Sequence, residues 1–373
     1  MRKLLVLSEY SVHIASARAR IQAYVPLLRR DGYSVRFRHV TSAFAEPEPL
    51  VVRIRRLALI VSTICLAPLV DVVLVHRLFP RPVWLTRVLR RVSRRLVLDY
   101  DDSYHVDAAG RDVPRSRLER LHAIIAAADC TIVSNEYLQE YSRRYSPHVI
   151  VIPTALEVSR YLRRAHAAGL PVVIGWIGSG GAQESLSLLL DVFNRLHRAF
   201  GGGVCLEVVT APAYRVTLDT SLPVRSLDWN LADQYHYFER FDIGIMPLPD
   251  NRRSLGKASY KALEYMAAAI PPVVSPVGMN AKIIEPGSTG FLPLSDDEWF
   301  DVLSRLIQSP HLRQEVGDRG REMVQRHFSV ERWYPAFRSA LEGRPREHKG
   351  GQAVASEPSR DSRSAPPFEE RIE

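Results

Sequence analysis

Cysteine is nearly missing from this 373-residue sequence: Cys65, Cys130 and Cys205 lie far apart, odd in number and without a C-x-x-C pair. That spacing argues against a disulfide framework or a zinc site and fits a reducing compartment, the cytoplasm. A bilayer-spanning apolar run is missing too. The stretch LALIVSTICLAPLVDVVLV (57–75) is broken by Pro68 and Asp71, leaving ~14 apolar residues where a spanning helix needs ~18–20. A buried helix leading into a strand is expected there, and a helix lying in a membrane face is the other reading. The opening MRKLLVLSEYSVHI is interrupted by Glu9 and His13 and reads as a first strand, not a signal peptide. Nucleic-acid signatures are equally missing: no zinc-finger spacing, no RNA-recognition motif, no basic run interleaved with aromatics. That matters because the net charge is +9, and residues 1–160 alone hold 25 Lys plus Arg against 15 Asp plus Glu. A basic half without those motifs points to an anionic membrane surface. Otherwise its arginines, such as Arg87, Arg90, Arg91, Arg94 and Arg95, are simply solvated helix faces.

What the sequence does have is a globular composition, 46% hydrophobic and 24% charged, in a chain long enough for two domains. Short β-branched runs (KLLVLS, YSVRFRHV, VVLVH, RLVLDY, CTIVS, VIVIP) alternate with stretches of helical apolar spacing in the first half. The pattern restarts after a polar segment with PVVIGWIGS, VCLEVVT, FDIGIMPL and PPVVSPVG. Alternation of this kind predicts an α/β protein with two Rossmann-like, doubly wound domains facing a cleft. The expected organisation is a first domain over 1–155, a linker over 156–170, a second domain over 171–342 and a disordered Ser/Pro-rich tail over 343–373.

Two stretches carry chemistry. LVLDYDDSYH (96–105) ends a strand in Asp99, Asp101 and Asp102, which cannot all be buried and ionised without partners. Asp99-Tyr100-Asp101 is the D-x-D clamp of a metal-dependent sugar transferase or part of another kind of cleft. The second stretch is FDIGIMPLPDNRRSLGKASYKALEYMAAAIPPVVSPVGMNAKII (241–284). Arg252, Arg253 and Lys257 fall at a helix start, where the dipole disfavours cations unless an anion binds between them. GWIGSGG (175–181) is either a phosphate-approaching turn or an ordinary strand-to-helix turn; its spacing does not fit a dinucleotide fingerprint. Arg18 and Arg20, with Ser16, open the helix after the first strand; they meet a phosphate there or pair with nearby carboxylates such as those of 99–102. Asp228-Trp229 borders a base pocket or is plain packing.

The block GKASYKALEYMAAAIPPVVSPVGMN resembles the donor-binding region of the retaining, GT-B-type group 1 (family-four) glycosyltransferases, bacterial subgroup. Ala269 stands where that subgroup commonly has Gly. ASARARIQAYVPLL, LVLDYDDSYH, AADCTIVSNEYLQEYSRRY, VIVIPTALEVSRY, IGWIGS and STGFLPLSDDEW resemble the subgroup in the same order, covering nearly all of 1–342. The resemblance implies a nucleoside-diphosphate sugar as co-substrate in the second lobe, with no cofactor and no metal. It implies a saccharide or lipid-linked acceptor presented by the first lobe, in cell-envelope or exopolysaccharide synthesis at the inner membrane face. Donor contacts then fall to Gly178, Ser179, Arg253, Lys257 and Glu264, and the acceptor or phosphate side to Ser16, Arg18 and Arg20. The catalytic group is Asp101, Asp102 and Lys257. Glu264 matches the second Glu of the family's E-x7-E motif, while the first falls at Gly256 and is lost. An epimerase of the same fold, or a non-catalytic nucleotide-sugar-binding module, stays open as the alternative.

Overall fold

Each β-branched run forms a strand, and all strand pairings within the two sheets are parallel. The computed structural model describes residues 1–41, 50–169, 171–178 and 181–343; Ser179 and the expected tail from 344 lie outside them. The first sheet has the order β2-β1-β3-β4-β5-β6. Its strands are β1 (Arg2–Tyr10), β2 (Tyr33–Thr41), β3 (Val72–His76), β4 (Leu96–Tyr100), β5 (Cys130–Val133) and β6 (Val149–Val151). The second has the order β11-β10-β7-β8-β9. It comprises β7 (Val172–Ile177), β8 (Val204–Thr210), β9 (Val224–Asp228), β10 (Ile243–Met246) and β11 (Pro272–Val274).

Both sheets are apolar on both faces, as parallel sheets with helices on each side require. On one face of the first, Leu4, Val6, Leu74 and Ile132 pack with Tyr24, Leu28 and Phe337. On the other, Leu7, Val75, Leu98 and Val133 pack with Leu85, Leu89, Leu121 and Ile124. In both sheets the strand order reverses beside the first strand, so loops after β1 and β7 open at the switch points where such sheets bind ligands.

Three expectations change. β9 reads poorly from sequence because it is an edge strand, three of whose five residues are exposed. The helix Val330–Glu342, expected with the second domain, packs on the first sheet: Phe337 stacks on Tyr24 with ring centroids 4.3 Å apart. The chain crosses back beside its outward passage, where Leu156 and Ser329 form a bridge. Third, the helix Leu50–Leu66 is not a buried one. Only Ile60 and Thr63 are fully covered, while Leu50, Val51, Ile54, Leu57 and Val61 are exposed.

Ala269, in the position where Gly was noted as usual, has φ 59°. That left-handed backbone is the physical reason glycine suits it.

Candidate active site

The carboxyl edge of the first sheet is a sequence of ion pairs. Asp99 ends up fully buried and is held in a two-point pair by Arg20, with Nη2–Oδ2 at 2.6 Å and Nε–Oδ1 at 3.2 Å. Arg20 is itself buried and has no reach into a cleft; its expected phosphate role gives way to the pairing alternative. Ser16 is equally engaged, its Oγ 3.1 Å from His76 Nε2, while His76 Nδ1 lies 2.9 Å from Ser8 Oγ. Burial, then the Arg77 and Arg20 charges, hold the His76 imidazole well below its ordinary value, so it is neutral.

Asp101 and Asp102 point elsewhere. Asp101 Oδ1 lies 3.7 Å from Nε of Arg77, whose guanidinium stands over the rings of Tyr10 and Tyr104 at 5.3 and 5.2 Å. Asp101 Oδ1, Arg77 Nε and Tyr104 Oη are buried without hydrogen-bond partners among the described residues. Arg77 adopts φ 57°, an uncommon conformation for a long side chain. Asp102 accepts from the Ser103 amide at 2.9 Å and pairs with Arg253 of the second lobe at 2.8 Å. The three aspartates therefore diverge, each toward a different arginine.

On the second lobe, Gly178 follows β7, but its amide donates to the Val209 carbonyl at 3.0 Å and is not available to a phosphate. What Gly178 provides is space. A Cβ there would come within 2.6 Å of the Trp176 ring and 2.8 Å of Lys261 Cε. Lys261, the second residue of the helix Tyr260–Ala267, thus folds over Trp176, its Nζ 4.8 Å from the ring centroid. Desolvation and the adjacent Lys257 cation push the Lys261 ammonium down to about 8. Glu264 and Asp102 pull the other way, and a bound anion would add to them. Glu264, one turn further, accepts from Tyr161 Oη at 3.0 Å; burial raises its carboxyl to about 7 against the opposing pull of Arg18.

The lobes touch across the cleft. Besides Asp102–Arg253, there are Asp112–Arg252 and Glu136–Lys282 pairs, each at 2.8 Å, and Asn135 donates to the Lys257 carbonyl at 3.3 Å. Gly256 sits against Ser103, where any Cβ would lie 1.9 Å from Ser103 Oγ. The lost Glu therefore corresponds to a position with no room for a side chain in this arrangement. Arg18 crosses to Trp229, its guanidinium 4.9 Å from the ring centroid, whereas Asp228 is tied to Arg215 at 2.6 Å. A cavity of about 250 Å³, bordered by Arg18, Glu157, Arg160, Tyr161, Tyr235 and Tyr260, opens beside the neighbours of Glu264 but does not reach the lysines.

So the structure brings Gly178, Lys257, Glu264 and Arg253 together with Asp101, Asp102 and Arg18. Ser16 and Arg20 fall into the first lobe's interior, and Ser179 is not described. Sequence reasoning missed Lys261 and Arg77. Lys261 was legible as the second cation of the G-K-x-x-x-K block, four residues after Lys257; Arg77 carried no signal beyond following a strand.

Residues 171–309 match the family model described as "Glycosyl transferases group 1". No curated protein matches the sequence. Among solved structures, the chain is similar to sucrose-phosphate synthase from Thermosynechococcus elongatus at 17% identity and a TM-score of 0.69, over 92% of this chain and 99% of that one. It is similar to Anabaena HepE in complex with UDP and glucose at 13% identity and a TM-score of 0.66, over 92% and 100%. It is also similar to the apo lipopolysaccharide outer core galactosyltransferase WaaB at 14% identity and a TM-score of 0.60, over 91% and 99%. These likenesses establish the fold, and the family match adds the class of reaction. The match favours transfer over the epimerase and binding-module alternatives. Residues 171–309 form a group 1 glycosyltransferase domain, and the chain that carries it is a glycosyltransferase of the GT-B fold.

Proposed function

We propose that the protein transfers a sugar from a nucleoside-diphosphate sugar to a hydroxyl of a saccharide or lipid-linked acceptor, with retention and without a metal, in cell-envelope or exopolysaccharide synthesis. The observation that carries the reading is Lys261 folded over Trp176 into the space that Gly178 leaves at the end of β7, with the Lys257 charge acting on it and Glu264 one turn further. As the glycosidic bond breaks, negative charge develops on the leaving diphosphate, and two pre-aimed ammonium groups stabilise it there. Arg253 is held by Asp102 in this arrangement and joins them only by exchanging that carboxylate for phosphate. Glu264 takes the ribose hydroxyls. Asp101 and Arg77, with unpaired polar atoms toward each other, position the acceptor hydroxyl on the face from which the diphosphate departs.

Metal independence is supported by the aspartates, since each already faces a guanidinium and they do not converge. HepE is described with UDP and with UDP-glucose, which makes uridine diphosphate the first probe. A cytoplasmic protein working at the inner membrane face fits the basic first half; no described helix is long and apolar enough to cross a membrane. The test is a thermal-shift series with UDP, GDP and their sugars, with and without EDTA. Stabilisation that survives EDTA and is lost in Lys261→Ala is expected. Stabilisation by no nucleotide, or stabilisation that EDTA abolishes and Asp101→Ala removes, would overturn the donor and metal assignments respectively.

A further inference from the structure

The helix Leu50–Leu66 turns its apolar side outward. Eleven large hydrophobic residues are exposed among those described, and five of them (Leu50, Val51, Ile54, Leu57, Val61) belong to this one helix. At about 100° per residue, Leu50, Ile54, Leu57 and Val61 fall within roughly 60° of one another, a continuous stripe. The exposed Arg53 and Arg55 fall on either side of it, and the helix contains no Asp or Glu. Its inner side is anchored: Ile60 enters the core and Arg56 pairs with Glu9 near the end of β1. The helix lies in the crossover between the parallel strands β2 and β3 and runs back antiparallel to them, so Leu50 and Ile54 stand at the carboxyl edge of the sheet, the edge that faces the cleft. Trp84, also exposed, begins the next helix of the same layer at that same edge.

An exposed apolar stripe of this size marks an interaction surface. A second copy of the chain would have to bring the flanking arginines of both copies together with no acid on the helix to meet them. An anionic lipid surface satisfies both features, apolar residues entering the acyl boundary and arginines meeting headgroups. We propose that Leu50–Leu66 is a membrane-docking helix for anionic lipid, lying in the interface and setting the cleft mouth against the bilayer. This deepens the peripheral reading above by assigning its surface and lipid class, and it does not depend on the identity of the donor.

The experiment is flotation of the full-length chain with phosphatidylcholine vesicles, with or without phosphatidylglycerol. A polarity-sensitive label on Cys65, the one exposed cysteine of the three, reports the helix directly. The expected result is binding to the anionic vesicles only, weakened by salt, with a blue shift of the label. Ile54→Glu/Leu57→Glu should cut the bound fraction at least tenfold. Arg53→Gln and Arg55→Gln should weaken it roughly fivefold each. Leu294→Glu, which removes an exposed leucine of the second lobe, should change nothing. Equal binding to both vesicle types, an unshifted label, or self-association that Ile54→Glu/Leu57→Glu abolishes would overturn the proposal, the last in favour of a second copy. The UDP-induced thermal shift separates the two readings: its absence in a wild type that still floats sinks the donor site alone. Its persistence in variants that no longer float shows them folded.

Discussion

At the carboxyl edge of the first sheet Asp99, Asp101 and Asp102 each pair with an arginine, whereas at the edge of the second sheet Lys261 has no ion-pair partner among the described residues and feels burial and the Lys257 charge against the opposing pull of Glu264 and Asp102. The Asp99–Arg20 pair is compensated internally and holds its shape without a ligand. At the second, burial and the Lys257 charge outweigh the pull of Glu264 and Asp102 on Lys261, which costs stability until an anion arrives. Charge that is already matched builds the protein; charge left unmatched identifies where the substrate goes. That distinction makes Asp99 structural and the G-K-x-x-x-K sequence functional, with Asp101 between the two cases, 3.7 Å from Arg77 yet with Oδ1 lacking a hydrogen-bond partner among the described residues.

The sharpest way to break the comparison is to remove a matched charge. Arg20→Met strands a fully buried Asp99, and the expected loss of folding stability is about 3–5 kcal/mol, read from denaturant titration. UDP affinity, measured on the protein that remains folded, should stay within twofold. A large affinity loss with little loss of stability would place Arg20 in the site after all. Removing an unmatched charge should do the reverse. Lys261→Ala is expected to lower turnover about 10²–10³-fold while leaving the melting temperature of the unliganded protein unchanged or raised, because the Lys257–Lys261 repulsion goes with it. Lys257→Ala should act in the same direction and more weakly, since Lys257 is not held over Trp176.

Gly256 sharpens the comparison, because it is where the two edges meet. A methyl group at this position would lie 1.9 Å from Ser103 Oγ and 2.9 Å from the Ser103 amide nitrogen, and backbone cannot move aside cheaply. Gly256→Ala should therefore separate the lobes. The expected signs are a larger radius of gyration in X-ray scattering and a turnover lowered about tenfold or more, with UDP affinity, a property of the second lobe, within threefold of wild type. Unchanged scattering would mean that the contact with Ser103 is not maintained in solution.

How much of this was legible in the sequence follows from which signals are local. The β-branched runs KLLVLS, VVLVH, RLVLDY and VCLEVVT are buried on both faces, and such runs announce themselves by composition alone. β9 did not, because an exposed edge strand has no apolar pattern to read. The return of Val330–Glu342 to the first sheet is a long-range packing decision, and position along the chain argued for the other lobe. Leu50–Leu66 reads from the sequence as a buried helix or as one lying in a membrane face, because hydrophobicity reports apolar content and not what covers it. In the site, Glu264 and Lys257 were found from their motif and Asp101–Asp102 from their strand end. Lys261 was passed over since a lysine in the first turn of a helix is ordinarily solvated; only the missing side chain of Gly178 gives it a place to fold inward. Pairing of Arg20 with a carboxylate of 99–102 was one of the two readings the sequence offered, but which arginine meets which carboxylate, across 79 residues, is decided by the fold.

The smallest expected effect is also the one that tests the unmatched edge without disturbing packing. The Lys261 ammonium sits at about 8, pushed down by burial and Lys257, and the Glu264 carboxyl at about 7, pushed up by burial. A bound diphosphate favours the protonated lysine, so binding takes up a proton wherever free Lys261 has lost one, and UDP affinity should fall toward tenfold per pH unit above about 8. A ribose hydroxyl donates to the ionised carboxylate, so affinity should also fall as pH drops below about 7 and Glu264 gains its proton. The product is a narrow maximum between the two values. Calorimetry in buffers of different ionisation enthalpy resolves it, because proton uptake on the alkaline side and release on the acid side have opposite signs. Lys261→Arg keeps the charge at all accessible pH and should flatten only the alkaline limb. Glu264→Gln should flatten only the acid one. A profile that is flat from pH 6 to 9 in the wild type would mean that neither group meets the nucleotide, and the second edge would then be no more a binding site than the first.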